Sequence, residues 1–387
     1  MTAVRLTGAL ALMLMAPLPS SAAGPYVIDV MLPLTGGAAF LGKGEQQSLE
    51  LAEGVVNDTG GIAGETLELV FHDDQSNPQI SVQLANTLLA KKPAVIMGSS
   101  LVASCRAMAP LMQNGPVEFC FSPGIHPEPG YVFSASISTY DLIAASVRYL
   151  RLKGWKRIAL MFSSDATGQD AENGVKAALA MPENKDVQVV STVHFNITDV
   201  SVSAQLETVK AANPQAFIAW STGTPIATIF QAIVQAGLDV PVVTTAGNMT
   251  YPQMKQYASF LPKELLIGAP QWVVKDNKEL PSGMVAAHKR YFDAFAKAGI
   301  RPDQSSDLPW DAMMSVVAAL RKYGPGATAA QVRDFIAGQS HLAGIDGIYD
   351  FIKVPQRGLD IGDGVMTRWS VADDTWIPVS SAGGAPL

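Results

Sequence analysis

The segment Gly37-Ala-Ala-Phe-Leu-Gly42-Lys43-Gly44 has the outline of a phosphate-binding loop. Glycines let backbone amides approach an anion, and a lysine supplies charge. The residue after Lys43 is Gly44, however, where a Ser or Thr would be needed to hold Mg²⁺. The same stretch lacks the third glycine of a dinucleotide fingerprint. It reads instead as a flexible Gly-rich loop, Pro33 to Gly44, between a strand and a helix over 45–57. Open α/β sheets bind ligands at such loops, at the carboxyl ends of their strands.

Other reactive residue types give no catalytic set. There is no Gly-x-Ser-x-Gly elbow. The five histidines, at 72, 126, 194, 288 and 341, are scattered and have no metal-ligand neighbours at helical spacing. Asp73-Asp74 reads as a loop end that caps the next helix, and the basic run Arg148, Arg151, Lys153, Lys156 and Arg157 as favourable charge at a helix C-terminus. Two stretches fit ligand contact better. Ser122-Pro123-Gly124-Ile125-His126 follows a strand and turns backbone N–H groups outward, with His126 either a ligand contact or a loop histidine. Ala103-Ser104-Cys105-Arg106 opens a helix, and helix N-termini favour carboxylates. Ser104 is there an N-cap that can also reach a ligand, and Arg106 a surface residue.

The elements that must position these residues alternate regularly. Strands are expected at 26–32, 67–71, 94–97 and 116–121, then at 157–162, 187–193, 216–220 and 240–244. Amphipathic helices lie between them. Asn77 with Pro78 marks one helix start, and Thr224 with Pro225 another, the latter ended by Gly237. This alternation implies parallel sheets covered on both faces, and the break near residue 138 implies two doubly wound lobes. The last hundred residues add helices at 284–298, 309–323 and 328–338 and short strands around 347–352 and 366–371.

The 387 residues are 48% hydrophobic, which suits a globular chain, and the net charge of −7 argues against nucleic acid. Arg5 is the one charge before Asp29. The apolar run Leu6–Leu18 then leads to Ser20-Ser21-Ala22-Ala23. Residues 1–23 therefore read as a secretory signal peptide cleaved near Ala23, and the rest as an extracytoplasmic protein. Cys105 lies in the first turn of a helix and Cys120 near the end of the following strand, places that meet in a doubly wound lobe. In an oxidising compartment they are expected to form a disulfide.

Several stretches, in order, resemble one family. They are Met31-Leu-Pro-Leu-Thr-Gly36 with Phe40-Leu-Gly42, Asn57-Asp-Thr-Gly-Gly-Ile62-Ala-Gly64, His72-Asp-Asp-Gln-Ser-Asn-Pro78, Met97-Gly98 with Pro110, Phe121-Ser-Pro123, and Gly154-Trp-Lys-Arg-Ile-Ala159. The chain is similar to the periplasmic solute-binding proteins of branched-chain amino acid-type ABC importers. The resemblance implies two Rossmann-like lobes joined by three crossovers, placed near Ser136, Gln271 and Gly344. Lobe 1 is then 24–136 with 272–344, and lobe 2 is 137–271 with 345–387. It implies solute capture without catalysis, metal or cofactor, by a periplasmic monomer that hands a small ligand to permease subunits. An exported ligand sensor on the same fold, or an amino acid binder of the same family, are the alternatives.

The resemblance also implies a site. Ala103, Ser104 and the loop Gly124, Ile125 and His126 are the polar anchors, with Phe40, Leu41 and Val102 as apolar walls. Thr167, Thr222, Gly223, Ala246 and Asn248 complete it from the second lobe. Val102 stands where the family carries a carboxylate-binding Ser, Gly223 where it carries an aromatic residue, and Ala246 where an acid holds the ligand's amine. A carboxylate without an α-amino group, aromatic or branched aliphatic, is therefore expected. Gly223 and Ala246 are expected to leave room for a bulkier body, with Asp165 and Asp170 the acids that could substitute.

Overall fold

The protein is described by a computed structural model over residues 24–274 and 279–387. The expected signal segment lies outside the described residues. Two open sheets form the frame. The first holds β1 (Tyr26–Leu32), β2 (Leu67–Asp73), β3 (Val95–Gly98), β4 (Val117–Cys120) and β5 (Val132–Ser134), in the order β2-β1-β3-β4-β5 and all parallel. The second is built on β6 (Arg157–Ser163), β7 (Gln188–Phe195), β8 (Ala216–Trp220), β9 (Val242–Thr244) and β10 (Leu265–Ala269). A short hairpin, β11 (Leu342–Ala343) with β12 (Ile348–Tyr349), stands apart. The last two strands, β13 (Val365–Ser370) and β14 (Thr375–Pro378), extend the second sheet antiparallel to give β14-β13-β10-β9-β8-β6-β7. The central parallel strands are apolar nearly throughout, as β8 (Ala-Phe-Ile-Ala-Trp) and β10 (Leu-Leu-Ile-Gly-Ala) show, because helices cover both faces, while the edge strands β2 and β7 carry polar residues.

Helices connect the strands: α1 (Ala39–Asp58), α2 (Pro78–Leu89) and α3 (Val102–Met108) in the first lobe, then α4 (Thr139–Leu152), α5 (Ala166–Ala180), α6 (Ser203–Ala211), α7 (Pro225–Ala236) and α8 (Tyr251–Tyr257) in the second. They are followed by α9 (Ser282–Ala298), α10 (Gln304–Asp307), α11 (Trp310–Tyr323) and α12 (Ala329–Ala337). Asn77 caps α2 as expected, its side chain accepting from the amides of Gln79 and Ile80. Thr224 occupies the cap position of α7 but makes no side-chain cap bond. The second half of the Gly-rich loop is helix, since α1 begins at Ala39. Its glycines serve close packing: a Cβ on Gly42 would lie 2.3 Å from the Pro33 carbonyl oxygen, and one on Gly44 would strike the Ser305 hydroxyl.

The chain passes between the lobes at 135–138 and again between Ala269 and Ser282. The third passage lies beyond Arg357 and not near Gly344. Gln356 donates to the carbonyls of Gly130 (3.1 Å) and Val132 (2.6 Å), Ser134 N–H donates to the Gln356 carbonyl (2.8 Å), and Phe351 packs edge-on against Phe133. These bonds hold the segment on the edge strand β5. The passages converge on buried carboxyls. Asp311 accepts the N–H groups of Ile345 and Asp346 and the Tyr349 hydroxyl. Asp346 shares a hydrogen bond with Asp307 and accepts one from Ser136, while its carbonyl takes the Gln271 N–H. Arg357 ties the last passage to the first through the Ser136 carbonyl at 2.9 Å.

Candidate functional site

In each sheet the strand order reverses at one point: between β1 and β3 in the first lobe, and between β6 and β8 in the second. Loops leaving the strands there diverge and open a crevice. The two crevices face each other. Leu41 from the start of α1 and Ser100, Leu101 and Val102 after β3 meet Thr167 at the start of α5 and Trp220 and Thr222 at the end of β8. Ser122, Pro123 and Gly124 close one side with Thr139. Thr245, Ala246 and Gly247 after β9 close the other, with Gln304 and Leu308 beneath. The lobes are closed on each other, leaving about 30 Å³ among these residues. That holds little more than a water, so a larger solute must part the lobes to enter.

Among the described residues no charged side chain lines this cleft. Asp165 is absorbed in capping α5, where it accepts from the Gly168 N–H and the Ser163 hydroxyl. Asp170 faces the Arg106 guanidinium at 2.8 Å and His126 Nε2 at 3.1 Å. Both acids lie outside the cleft lining. The walls are largely apolar (Leu41, Leu101, Val102, Pro123, Trp220, Ala246, Leu308), and the polar groups among the lining residues are hydroxyls, one amide side chain, the Trp220 indole N–H and backbone.

The residues expected from the sequence divide. Leu41, Val102, Gly124, Thr167, Thr222 and Ala246 line the cleft. Ser104 is buried beside it, bonded to the Ser81 hydroxyl. Ala103 is half-buried and Ile125 buried, both outside the lining. His126 stacks near Tyr140 and pairs with Asp170 instead of facing the cleft. Arg106, read as a surface residue, spans the lobes. Phe40 faces a wider crevice of about 640 Å³ at the cleft's outer edge, with Lys43, Tyr251 and Arg301. Asn248 is a buried brace: its side chain accepts from Gly223 N–H and donates to the Ser221 carbonyl and the Thr244 hydroxyl. Gly223 leaves no room for a ligand, because the carbonyl oxygen of Gly37 from the other lobe occupies the space a Cβ would take, 2.3 Å away.

Sequence reasoning did not assign Ser100, Thr139, Trp220, Gln304 or Leu308 to the cleft. Trp220 had a signal, since it ends an expected strand at the carboxyl edge. Gln304 and Leu308 had none, because they come from a helical segment that packs back from far along the chain. Also missed was Glu45, fully buried on α1 and hydrogen-bonded to Ser100. Burial pushes its carboxyl up to about 8, against the lowering effect of the Ser100 bond and with a further rise from Asp74. Its signal was present: Glu45 lies four residues before Leu49, on the apolar stripe that continues through Ala52 and Val56. Asp73 and Asp74 pin loops, the first accepting from the Leu34 and Thr35 amides and the second from Ser76 N–H and the Ser99 hydroxyl. Among the described residues no cluster could hold a metal ion.

Comparison with known proteins agrees with this geometry. A family profile described as "Periplasmic binding protein" matches residues 25–370. A Leu/Ile/Val-binding protein homolog 3 of Brucella melitensis is 35% identical over 79 residues, 20% of this chain and 22% of the relative; the matched stretch thus spans about a fifth of that protein. An extracellular ligand-binding receptor from Rhodopseudomonas palustris superposes with a TM-score of 0.81 at 21% identity, over 92% of this chain and 99% of that one. LivJ of Streptococcus pneumoniae, a branched-chain amino acid transporter substrate-binding protein in complex with isoleucine, gives 0.73 at 16% identity over 92% and 99%. At these identities the likeness to solved structures is one of fold, that of type I periplasmic binding proteins.

Proposed function

We propose that this chain, which belongs to the periplasmic binding protein family, is the extracytoplasmic solute-binding subunit of an ABC importer and captures a small organic carboxylate. The family is one of binding proteins, not of enzymes, so the activity is capture. A ligand held by both lobes stabilises the closed arrangement, which permease subunits can then read.

The observation that carries the choice of ligand is the absence, among the described residues, of any charged side chain from the cleft lining. An α-ammonium group buried there would have no anionic partner, at a cost of several kcal/mol. A carboxylate needs only donors, and the hydroxyls of Ser100, Ser122 and Thr139 supply them from one side. Trp220, Leu41, Val102 and Leu308 suit an aromatic or branched aliphatic body. The second reading, an amino acid, is favoured by the likeness to LivJ with isoleucine, but among the described residues no acidic side chain lines the cleft to pair with its ammonium. Calorimetric titration with benzoate, phenylacetate and isovalerate, alongside leucine and isoleucine, separates the two. Binding of one or more of the acids without binding of the amino acids is the expected result. Tight leucine binding with no response to the acids would refute it.

A further inference from the structure

We propose that Glu45 is a positioning residue for ligand recognition: held neutral behind Ser100, it fixes the Ser100 hydroxyl as a donor to the ligand's carboxylate. The inference rests on the carboxylate reading above and names the group that selects for it.

The geometry is a two-residue relay at the cleft wall. Ser100 lines the cleft, and its hydroxyl is hydrogen-bonded to Glu45 Oε2 on the side away from the cavity. Glu45 is fully buried, and its other oxygen, Oε1, has no hydrogen-bond partner. Among the described residues no cation pairs with it. The basic groups that reach α1 do so at its far end, Arg321 at the Val56 carbonyl and Lys297 at Asp58. Lys43, on the same helix, faces the outer crevice. Among the described residues the charged group that acts on Glu45 is an acid, Asp74 after β2, while the cations Arg290 of α9 and Arg321 of α11 act on Asp311 and the Val56 carbonyl. Val102, beside Ser100, has no hydroxyl and cannot take over its part.

A serine hydroxyl donates one hydrogen bond. If Glu45 is ionised, Ser100 must spend that bond on it and shows the cleft only lone pairs, which repel a carboxylate. If Glu45 is protonated, its own O–H donates to Ser100 Oγ, and the Ser100 hydrogen is free for the ligand. The atoms are unchanged; one proton on Glu45 decides the direction of both bonds. A fully buried carboxylate without a cation or a second hydrogen bond is disfavoured. The carboxyl therefore stays neutral through pH 7, in keeping with its rise to about 8. At higher pH ionisation reverses the relay and adds a negative charge behind the cleft.

The test is a pH series of calorimetric titrations with benzoate and isovalerate from pH 6 to 9.5. The native protein is expected to show a constant Kd up to about pH 7 and a rise of about tenfold per pH unit above 8. Glu45→Ala and Ser100→Ala should both weaken binding at pH 7. Glu45→Gln, whose amide can donate to Ser100, should rescue binding and flatten the profile. The hinge carboxyls also titrate in this range, so Asp346→Asn is run beside it and should keep the slope. Infrared difference spectra of native protein against Glu45→Gln supply a measurement that needs no ligand: a protonated carboxylic acid band at pH 7, lost in the variant. A flat native profile, a slope that survives in Glu45→Gln, or the lack of that band would each overturn the proposal. A protein that binds benzoate with a flat profile keeps the proposed function and loses this inference. One that shows the band but binds leucine alone, with a flat pH profile, loses both. The two failures are thus distinguishable.

Discussion

Arg106 of α3 and Asp170 of α5 belong to different lobes and meet at 2.8 Å, the carboxylate nearly inaccessible to water and the guanidinium partly exposed. The same Asp170 oxygen takes His126, and Arg106 also donates to the Gly124 carbonyl at the cleft wall. The pair is therefore a latch across the mouth of the cleft, made only when the lobes are closed. A hydrogen bond between charged groups contributes about 1.5–3 kcal/mol, and the exposure of Arg106 places this one at the low end. Arg106→Ala should shift the free protein toward open forms, enlarge its radius of gyration in small-angle scattering and weaken ligand binding roughly tenfold, the equivalent of about 1.4 kcal/mol. An unchanged radius and affinity would show that the latch does not bias closure.

Cys105 and Cys120 form a disulfide with Cα atoms 6.1 Å apart. It staples the first turn of α3 to the end of β4, under the loops that carry Ser100 and Ser122. Closing a loop of this length stabilises the fold by roughly 3 kcal/mol through the unfolded chain. The Cys105→Ser/Cys120→Ser variant should lose about that much in urea unfolding. A loss below 1 kcal/mol would mean that the native sheet already holds the loop.

The hinge carboxyls give stability a pH dependence. Burial raises Asp307 to about 7 and Asp311 to about 6, and burial with the facing Asp307 raises Asp346 well above its ordinary value. The folded protein thus keeps protons that the unfolded chain releases near pH 4. Their contribution to stability is fully present below that and is lost as pH rises through the folded-state values, about 6 for Asp311, about 7 for Asp307 and higher for Asp346. Each retained proton changes the unfolding free energy by at most about 1.4 kcal/mol per pH unit. Urea unfolding at pH 5 should therefore give a higher free energy than at pH 8, and Asp346→Asn should reduce the difference. A free energy that rises over this range would show that the cluster is ionised in the folded state.

Periodicity carried much of the frame, and with it the loops at the sheet edges. The stripe at Ile226, Ile229, Phe230 and Ile233 is the buried face of α7, and Asn77-Pro78 opens α2. The strands β5, β10 and β14 were not expected; shortness alone does not explain this, since β3, β4 and β9 have three or four residues and were. Gly42 and Gly44 misled for a different reason. Glycine marks a loop from local propensity, but here it marks where Pro33 and Ser305 press against a helix, a tertiary fact. The same holds at the site. Leu41, Val102 and Thr222 could be placed through the resemblance to a known family, while Gln304 reaches the cleft only through α10, which packs against α1 from more than half the chain away.

Gly223 and Gly37 give the sharpest test of closure. Gly223 has φ +84°, a left-handed conformation that favours glycine, and faces the Gly37 carbonyl across the lobe boundary. Thr224 N–H then donates to that same carbonyl at 3.1 Å, a backbone bond between the lobes. A methyl group at 223 would overlap the Gly37 oxygen only in the closed form, since in an open form the two lobes are apart. The backbone strain of Ala at positive φ, about 1 kcal/mol, acts in both forms. Gly223→Ala should therefore cost the second lobe little stability but hold the protein open. The expected result is a small decrease in melting temperature, a larger radius of gyration that ligand no longer reduces, and a loss of affinity far beyond that of Arg106→Ala. Gly37→Ala is the control. A Cβ there would lie 3.8 Å from the Thr224 hydroxyl, an ordinary contact, so it should close normally. If Gly223→Ala compacts with ligand as the native protein does, the lobes close along another path and the Gly37–Gly223 contact does not define the closed state.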